Sequence, residues 1–408
     1  AAVGDVDNDG DPDLYVTGVG ANVLYRNDGG RFTATAEAKG GGWSVSAAFF
    51  DYDGDGRLDL FVARYLDWDW SRNILCGTPF NAYCRPDKFN GVANLLYHND
   101  GGGRFRDVST EAGIAAVPGK GMGVAVGDYD ADGRADVFVA NDGMEQYLFH
   151  NDGGGKFSER ALEAGVALSD DAKPYAGMGA SFGDYDNDGR LDLVVTNLAL
   201  EKYALYHNDG DGRFTYASLT TGLAAATARS SGWGVGLFDF DNDGFKDVFA
   251  AQGHVLDNVE RIHSGLRYLE PPGLYRNAGG THFEAVPMPT WKAMAGRGAA
   301  FGDLNDDGAV DVVMAVLGGS PQVFWNTATK PGLTVRLVGR RSNRDGLGAV
   351  VRASGQTVVA GTAGSYLSSS DARVHLAGRP AAVEVTWPSG ARSAVKVPAG
   401  RSVVTVEE

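Results

Sequence analysis

One nine-residue pattern, DxDxDGxxD, constrains this chain more than any other feature, because it occurs six times. The copies are DVDNDGDPD (5–13), DYDGDGRLD (51–59), DYDADGRAD (128–136), DYDNDGRLD (184–192), DFDNDGFKD (239–247) and, with one Asn, DLNDDGAVD (303–311). They start 46, 77, 56, 55 and 64 residues apart. A period of this length indicates an array of supersecondary units. Each copy runs into a short apolar stretch (LYV, LFVA, VFVA, LVVT, VFAA, VVMA) that reads as a strand by length and β-branched content.

A second element recurs between the copies: LYRNDGGRF (24–32), LYHNDGGGRF (96–105), LFHNDGGGKF (148–157), LYHNDGDGRF (205–214) and LYRNAGGTHF (274–283). Asn-Asp-Gly-Gly between β-rich segments is a hairpin signal, because these residues accept positive φ. Each repeat thus holds about four short strands, and such units repeating around a ring make a β-propeller. The expected fold is all-β: a propeller over 1–330 with six explicit blades, seven being allowed. Only four residues precede the first Asp loop, so its leading strand is expected to be missing, and the last copy ends at VFWNTATK without its hairpin. The chain opens inside a motif, and residue 1 is read as a processed or trimmed end. After Pro331 no Asp loop recurs, and short strands over 331–408 predict a separate small all-β domain.

In DxDxDGxxD the carboxylates at positions 1, 3 and 5 converge around a tight turn. Gly at position 6 permits the bend, position 7 offers its carbonyl, and Asp at position 9 closes the cage. This is the hard oxygen ligand set of Ca²⁺; Mg²⁺ demands stricter octahedral geometry, and softer metals want nitrogen or sulfur. The expected ligands are Asp5, Asp7, Asp9, Asp11 and Asp13 in the first loop and Asp51, Asp53, Asp55, Arg57 and Asp59 in the second. The third and fourth supply Asp128, Asp130, Asp132, Arg134 and Asp136, then Asp184, Asp186, Asp188, Arg190 and Asp192. The last two supply Asp239, Asp241, Asp243, Phe245 and Asp247, then Asp303, Asn305, Asp307, Ala309 and Asp311. An EF-hand is excluded, because position 12 is never Glu and strands flank the loops. Up to six Ca²⁺ would add twelve positive charges to a formal net charge of −16. A general acid/base pair is a poor reading of six equivalent copies, since an active site is normally singular. A solvated Asp-rich turn does not explain the fixed 1-3-5-9 spacing.

That net charge argues against nucleic acid, whose phosphates need a basic surface. No apolar run approaches the length of a membrane-spanning helix. The two cysteines, Cys76 and Cys84 in CGTPFNAYC, are not spaced as CxxC and have no nearby His; a disulfide clipping a loop is the better reading. It places the chain in an oxidising setting.

These loops, with the preceding VAVGDYD, ASFGDYD and AAFGDLN strands, resemble the FG-GAP (VCBS-type) repeats of the integrin α-subunit head. SNRDGLGAVV (342–351), GSYLSSSDARVHLAG (364–378) and VEVTWPSG (383–390) resemble the ASPIC/UnbV domain that follows such propellers in cartilage acidic protein and its bacterial relatives. The resemblance implies a secreted, periplasmic or cell-surface Ca²⁺-binding protein and carries over no catalytic residue.

Specific chemistry in a propeller sits where the repeat breaks. Insertion 64–94 carries Tyr65, Trp68, Trp70, Phe80, Tyr83 and Phe89, suiting a binding surface or lid. Insertion 252–272 carries His254, Asp257, Glu260, Arg261, His263 and Tyr268. Each also reads as a long loop packed over one face, evenly with the functional reading for the first insertion and in preference to it for the second. His98, His150 and His207 share one hairpin position and read as strand residues. Met122, Met178, Trp233 and Arg297 lie in matching GMG, GMG, GWG and GRG contexts, with Trp43 in GWS, and read as packing near one channel mouth. The expected function is a Ca²⁺-stabilised module binding a protein, glycan or matrix partner. The alternative is a cyclase- or lyase-type enzyme built from the two insertions, with His254, Asp257, His263 and Arg297 as candidate catalytic residues.

Overall fold

In a computed structural model, which describes residues 1–77, 79–80 and 82–408, strands group into six successive antiparallel sheets up to residue 324, with one small extra pair, Leu75–Cys76 and Ala82–Tyr83, in the first insertion. The first five have four strands each and the sixth has three. In every sheet the leading strand enters the Asp loop and the second leaves it, as Gly121–Gly127 and Asp136–Asn141 do in the third. The stub before the first loop does supply a leading strand: Ala2–Gly4 pairs with Asp13–Val16, correcting the expectation that it is missing. Three residues suffice because the neighbouring strand Ser44–Phe50, buried along its length, covers them. The sixth sheet ends at Gln322–Phe324 without a fourth strand, as VFWNTATK implied.

Leading strands pack in sequence, 2–4 on 44–50, then 121–127, 180–183, 232–238 and 296–302. The second glycine of each GxG makes this approach feasible. A Cβ at Gly123 would lie 2.6 Å from Met178 O, and one at Gly179 would lie 2.1 Å from Trp233 O. A Cβ at Gly234 would meet Arg297 O at 2.8 Å. At Gly298 the series continues, but the neighbour is Tyr366 O, 3.0 Å away. Segment 364–371 of the C-terminal region therefore takes the place of the next leading strand. On one side Asp371 N donates to Phe301 O (2.9 Å). On the other, Val3 N donates to Ser369 Oγ (3.1 Å) and Thr362 Oγ1 donates to Val3 O (3.2 Å). Ser365 pairs with Ala180, its Oγ accepts from Val235 N (3.1 Å) and donates to Ala299 O (2.7 Å), and Leu367 N donates to Ser46 Oγ (3.2 Å). One turn thus fastens to strands of five sheets.

The C-terminal strands form two sheets. Gly332–Val338 pairs with Val374–Ala377 and, in parallel, with Val403–Glu407. Gln356–Val359, Val350–Ala353, Ala382–Thr386 and Arg392–Lys396 form the second. Leu333, Val335, Val351, Leu376, Val383 and Trp387 are buried between them. This unit sits on the Asp-loop face: Asp345 Oδ2 accepts from Asp5 N (2.8 Å), and Thr334 Oγ1 donates to Asp303 Oδ2 (2.8 Å). Among the described residues the α-helices are three short ones, Ala161–Ala164, Leu223–Thr227 and Val259–Ile262, and none is long and apolar enough to cross a membrane.

Candidate metal centres

All six loops close by the same hydrogen bonds. The position-1 carboxylate accepts from the N–H groups of positions 5 and 6: Asp184 from Asp188 N (3.1 Å) and Gly189 N (3.0 Å), Asp239 from Asp243 N (3.0 Å) and Gly244 N (2.7 Å). The chain can turn this tightly because position 6 is Gly, with φ from 83° to 103°, and position 4 is also left-handed. Asn and Gly tolerate that conformation at position 4, whereas Ala131 (φ 60°) adopts it at a cost.

The position-9 carboxylate is the buried anchor. Asp192 Oδ2 accepts from Tyr185 N (3.0 Å) and Oδ1 from Asn208 N of the hairpin (2.8 Å); Asp13, Asp59, Asp136, Asp247 and Asp311 do the same with Asn27, Asn99, Asn151, Asn277 and Asn326. The partner Asn side chain then reaches the preceding blade. Asn208 Nδ2 donates to Tyr129 O (2.8 Å), Asn277 Nδ2 to Tyr185 O (2.8 Å) and Asn326 Nδ2 to Phe240 O (2.7 Å). Reading Asn-Asp-Gly-Gly only as a turn misses this staple between blades. Its signal was present, because Asn326 persists where the rest of the turn is lost.

Oxygens of Asp5, Asp7 and Asp13, and of Asp51, Asp53 and Asp59, lie within 4.8 Å of one another. Asp53 and Asp55 group with His98 at the same spacing, Asp130 and Asp132 with His150, and Asp186 and Asp188 with His207. Burial pushes Asp136, Asp192 and Asp247 up to about 8 and Asp13, Asp51, Asp128 and Asp184 up to about 6, against the lowering by their N–H donors. Buried carboxylates crowded together need protons or a cation. Oxygen donors at this density fit a hard divalent ion.

The hairpin residue facing each cage differs. In the first and fifth loops it is Arg, with Arg26 on Asp7 and Arg276 Nε 3.2 Å from Asp241 Oδ2. In the second to fourth it is His: His98 Nδ1 lies 3.2 Å from Asp59 Oδ1 and His207 Nδ1 lies 3.3 Å from Asp186 Oδ2. These three histidines therefore face the carboxylates and are more than plain strand residues. The side chains of Arg57, Arg134 and Arg190 clip position 7 to the hairpin, their Nε donating to Asn99 O (2.8 Å), Asn151 O (2.7 Å) and Asn208 O (2.6 Å).

The two insertions lie at the other end of the second strands. Cys76 and Cys84 form a disulfide. Rings of Trp43, Trp68 and Trp70 follow one another at 5.1 and 5.0 Å, leading from a half-buried residue to one 79% exposed. Arg261 of the second insertion stacks on Phe80 of the first at 4.1 Å. The catalytic candidates do other things. Arg297 stacks on Trp233 and donates to Gly253 O, Gly296 O and His254 O. His254 Nδ1 accepts from Leu256 N (3.0 Å), while Asp257 and His263 are exposed.

Repeated four-stranded sheets, each with a carboxylate cage at the same end, define a propeller of Asp-loop blades. FG-GAP-like repeats match residues 5–62, 83–139, 128–195 and 184–250, more than half of the chain, and it belongs to that family; residues 339–408 match the ASPIC and UnbV family. The chain is similar to cartilage acidic protein 1 of Mus musculus, 28% identical over 363 residues that cover 85% of this chain and 51% of the relative. The Homo sapiens protein of that name is 27% identical over 315 residues, covering 61% and 46%. The chain spans about half the length of the curated relatives it matches. Among solved structures, an Agrocybe aegerita lectin recognising non-reducing terminal N-acetylglucosamine is 15% identical over 80% of this chain and 79% of that one, with a TM-score of 0.47. At this distance the likeness carries no argument.

Proposed function

We propose that this protein is an extracellular, calcium-stabilised binding module, with residues 1–330 as the propeller and 331–408 as its cap. The observation that carries the calcium reading is the sixfold recurrence of one buried, hydrogen-bonded carboxylate cage. Each cage would take its ligands from positions 1, 3, 5 and 9 and the position-7 carbonyl, with Asn305 in place of Asp in the sixth. The disulfide and the name of the similar cartilage protein support a setting outside the cytoplasm. Binding falls to the opposite face, where a disulfide-clipped insertion exposes Trp70, Leu75 and Tyr83. Aromatic side chains give large contact area at low entropic cost, which suits recognition of a protein, glycan or matrix partner. The candidate acid/base groups are engaged with backbone or exposed, so no observation favours the enzymatic alternative.

The test is retention of matrix protein and glycan fractions on the immobilised protein in calcium, compared with a Trp70→Ala/Tyr83→Ala variant of unchanged melting temperature. We expect retention to fall at least tenfold in the variant. Equal retention by both proteins would remove the assignment to this face.

A further inference from the structure

Five of the six sheets carry a fourth strand, and all five are built alike. Arg31–Ala34, Phe105–Asp107, Lys156–Glu159, Arg213–Tyr216 and Phe283–Ala285 each run antiparallel to the third strand of their own sheet. In each a Phe pairs with the hairpin Asn: Phe32 with Asn27, Phe105 with Asn99, Phe157 with Asn151, Phe214 with Asn208 and Phe283 with Asn277. A basic residue precedes that Phe (Arg31, Arg104, Lys156, Arg213, His282) and a polar one follows it (Thr33, Arg106, Ser158, Thr215, Glu284). The ring is what the strand brings to the blade. Phe157, Phe214 and Phe283 pack on the buried Tyr52, Tyr129 and Tyr185 of the preceding loop, with centroids 5.8, 5.9 and 5.8 Å apart.

The sixth sheet has the same third strand and nothing on its edge. Asn326 stands for the hairpin Asn and bonds to Asp311 and Phe240 as its counterparts do, yet Gln322–Phe324 pairs only with the second strand. In the other sheets the carbonyl three residues before that Asn accepts from the chain leaving the fourth strand. Leu24 O accepts from Thr35 N (2.8 Å), Leu96 O from Val108 N (2.9 Å) and Leu148 O from Arg160 N (2.8 Å). Leu205 O accepts from Ala217 N (2.7 Å) and Leu274 O from Val286 N (2.8 Å). Val323 holds this register position, so its N–H and carbonyl face the side where the sheet has no further strand. Phe240, at the loop position of Tyr52, Tyr129 and Tyr185, is only half-buried. Val323 and Trp325 are 44% and 58% exposed, so the edge is open to solvent. An open edge of this kind is a template for pairing.

We propose that the edge of the sixth sheet is a docking site for an extended segment of another polypeptide. That segment adds as the missing fourth strand, antiparallel to Gln322–Phe324, with a Phe opposite Asn326 and its ring on Phe240. The five fourth strands of this chain specify the occupant: a basic residue, Phe, then a polar residue. A second copy has no such strand to give, because its own five are paired within their sheets. The basic residue suits a chain of formal net charge −16. Main-chain bonds supply the affinity of such docking, and the pocket for the alternate side chain sets its register.

The test uses the 408-residue protein in calcium and a fluorescent peptide, DGRFTYASLT, copied from residues 211–220. Anisotropy is expected to show one peptide bound saturably per chain, and the Phe214→Ser peptide to bind at least tenfold more weakly. Val323→Pro removes an outward N–H and leaves Gln322 and Phe324 free to pair with the second strand. This variant is expected to keep its melting temperature and to bind at least tenfold more weakly. Hydrogen exchange on the wild type needs no variant: the amides of Val323 and Trp325 should slow at least tenfold in the complex. No binding, indifference to the Phe, or protection elsewhere in the chain overturns the proposal. Dimerisation that protects the same amides without peptide makes a second copy the occupant and overturns it too.

Discussion

The two faces of this propeller are built on opposite principles. On the Asp-loop face the chain repeats one solution six times, down to the N–H groups that each carboxylate accepts. On the other face the long loops do not repeat: one insertion is clipped by a disulfide, another carries a short turn of helix, and they touch through Arg261 and Phe80. Repetition marks what every blade needs in order to stand. Departure from it marks what this one protein needs, and Lys246, at a loop position that is apolar in the other five copies, is a departure set inside the repeated face itself.

Calcium removal should break the comparison most strongly, because it acts on one face alone. Ions at a hundredfold excess over Kd contribute about 2.7 kcal/mol per site, so emptying several sites approaches the whole stability of a domain. Chelation is expected to lower the melting temperature by many degrees, reversibly, and calorimetry with and without Ca²⁺ checks this. The pH response should invert as well. In the chelated protein, burial holds Asp136, Asp192 and Asp247 up to about 8, above the 3.8 of an ordinary aspartate. The folded chain then binds more protons than the unfolded one over this range, so stability falls as pH rises from about 4 to 8. In the loaded protein the ligands are ionised, and stability falls as pH drops toward 5, when protons compete with the metal. Melting curves across pH that run parallel in the two states would defeat this account.

A smaller effect separates one blade from the rest. Asp186→Ala should reduce bound calcium by about one ion per chain and cost about 2.7 kcal/mol at a hundredfold excess of metal, leaving the other cages filled. Metal analysis decides this, and an unchanged ion count would exclude Asp186 as a ligand. Smaller still, Ala131→Gly relieves a left-handed alanine in the third loop and should stabilise by about 1 kcal/mol. A destabilised variant in denaturant titration would show that Ala131 is not strained. The Trp70→Ala/Tyr83→Ala change on the other face should shift stability by less than about 0.5 kcal/mol, since both side chains are mostly exposed.

The Asp loops, the hairpins and the strands around them were legible in the sequence because their chemistry is local. Gly at position 6, Asp at 1 and 9 and the alternation of the strands act over fewer than ten residues, and six copies average away the ambiguity of any one. The leading strand of the first sheet was not legible, because Ala2–Gly4 is too short to show periodicity and is a strand only where Ser44–Phe50 covers it. The recurring Asn of Asn99, Asn151, Asn208, Asn277 and Asn326 was visible, but what it bonds was not, since the acceptors lie one blade away.

Nor could SYLSSSD be read as a segment set between the last blade and the first. It carries no strand pattern of its own, and its partners lie on strands far away in the chain, among them the Ser46 hydroxyl and the Ala180 backbone. Likewise Lys246 looks like an ordinary loop lysine until the cap closes over it. The sequence by itself determined the repeat, its cages and the places where the repeat fails. Tertiary structure alone decided how blades join, where the C-terminal segment lies and which loop lysine is buried. Those depend on contacts between residues distant in the chain, whose energies appear only when the surfaces meet.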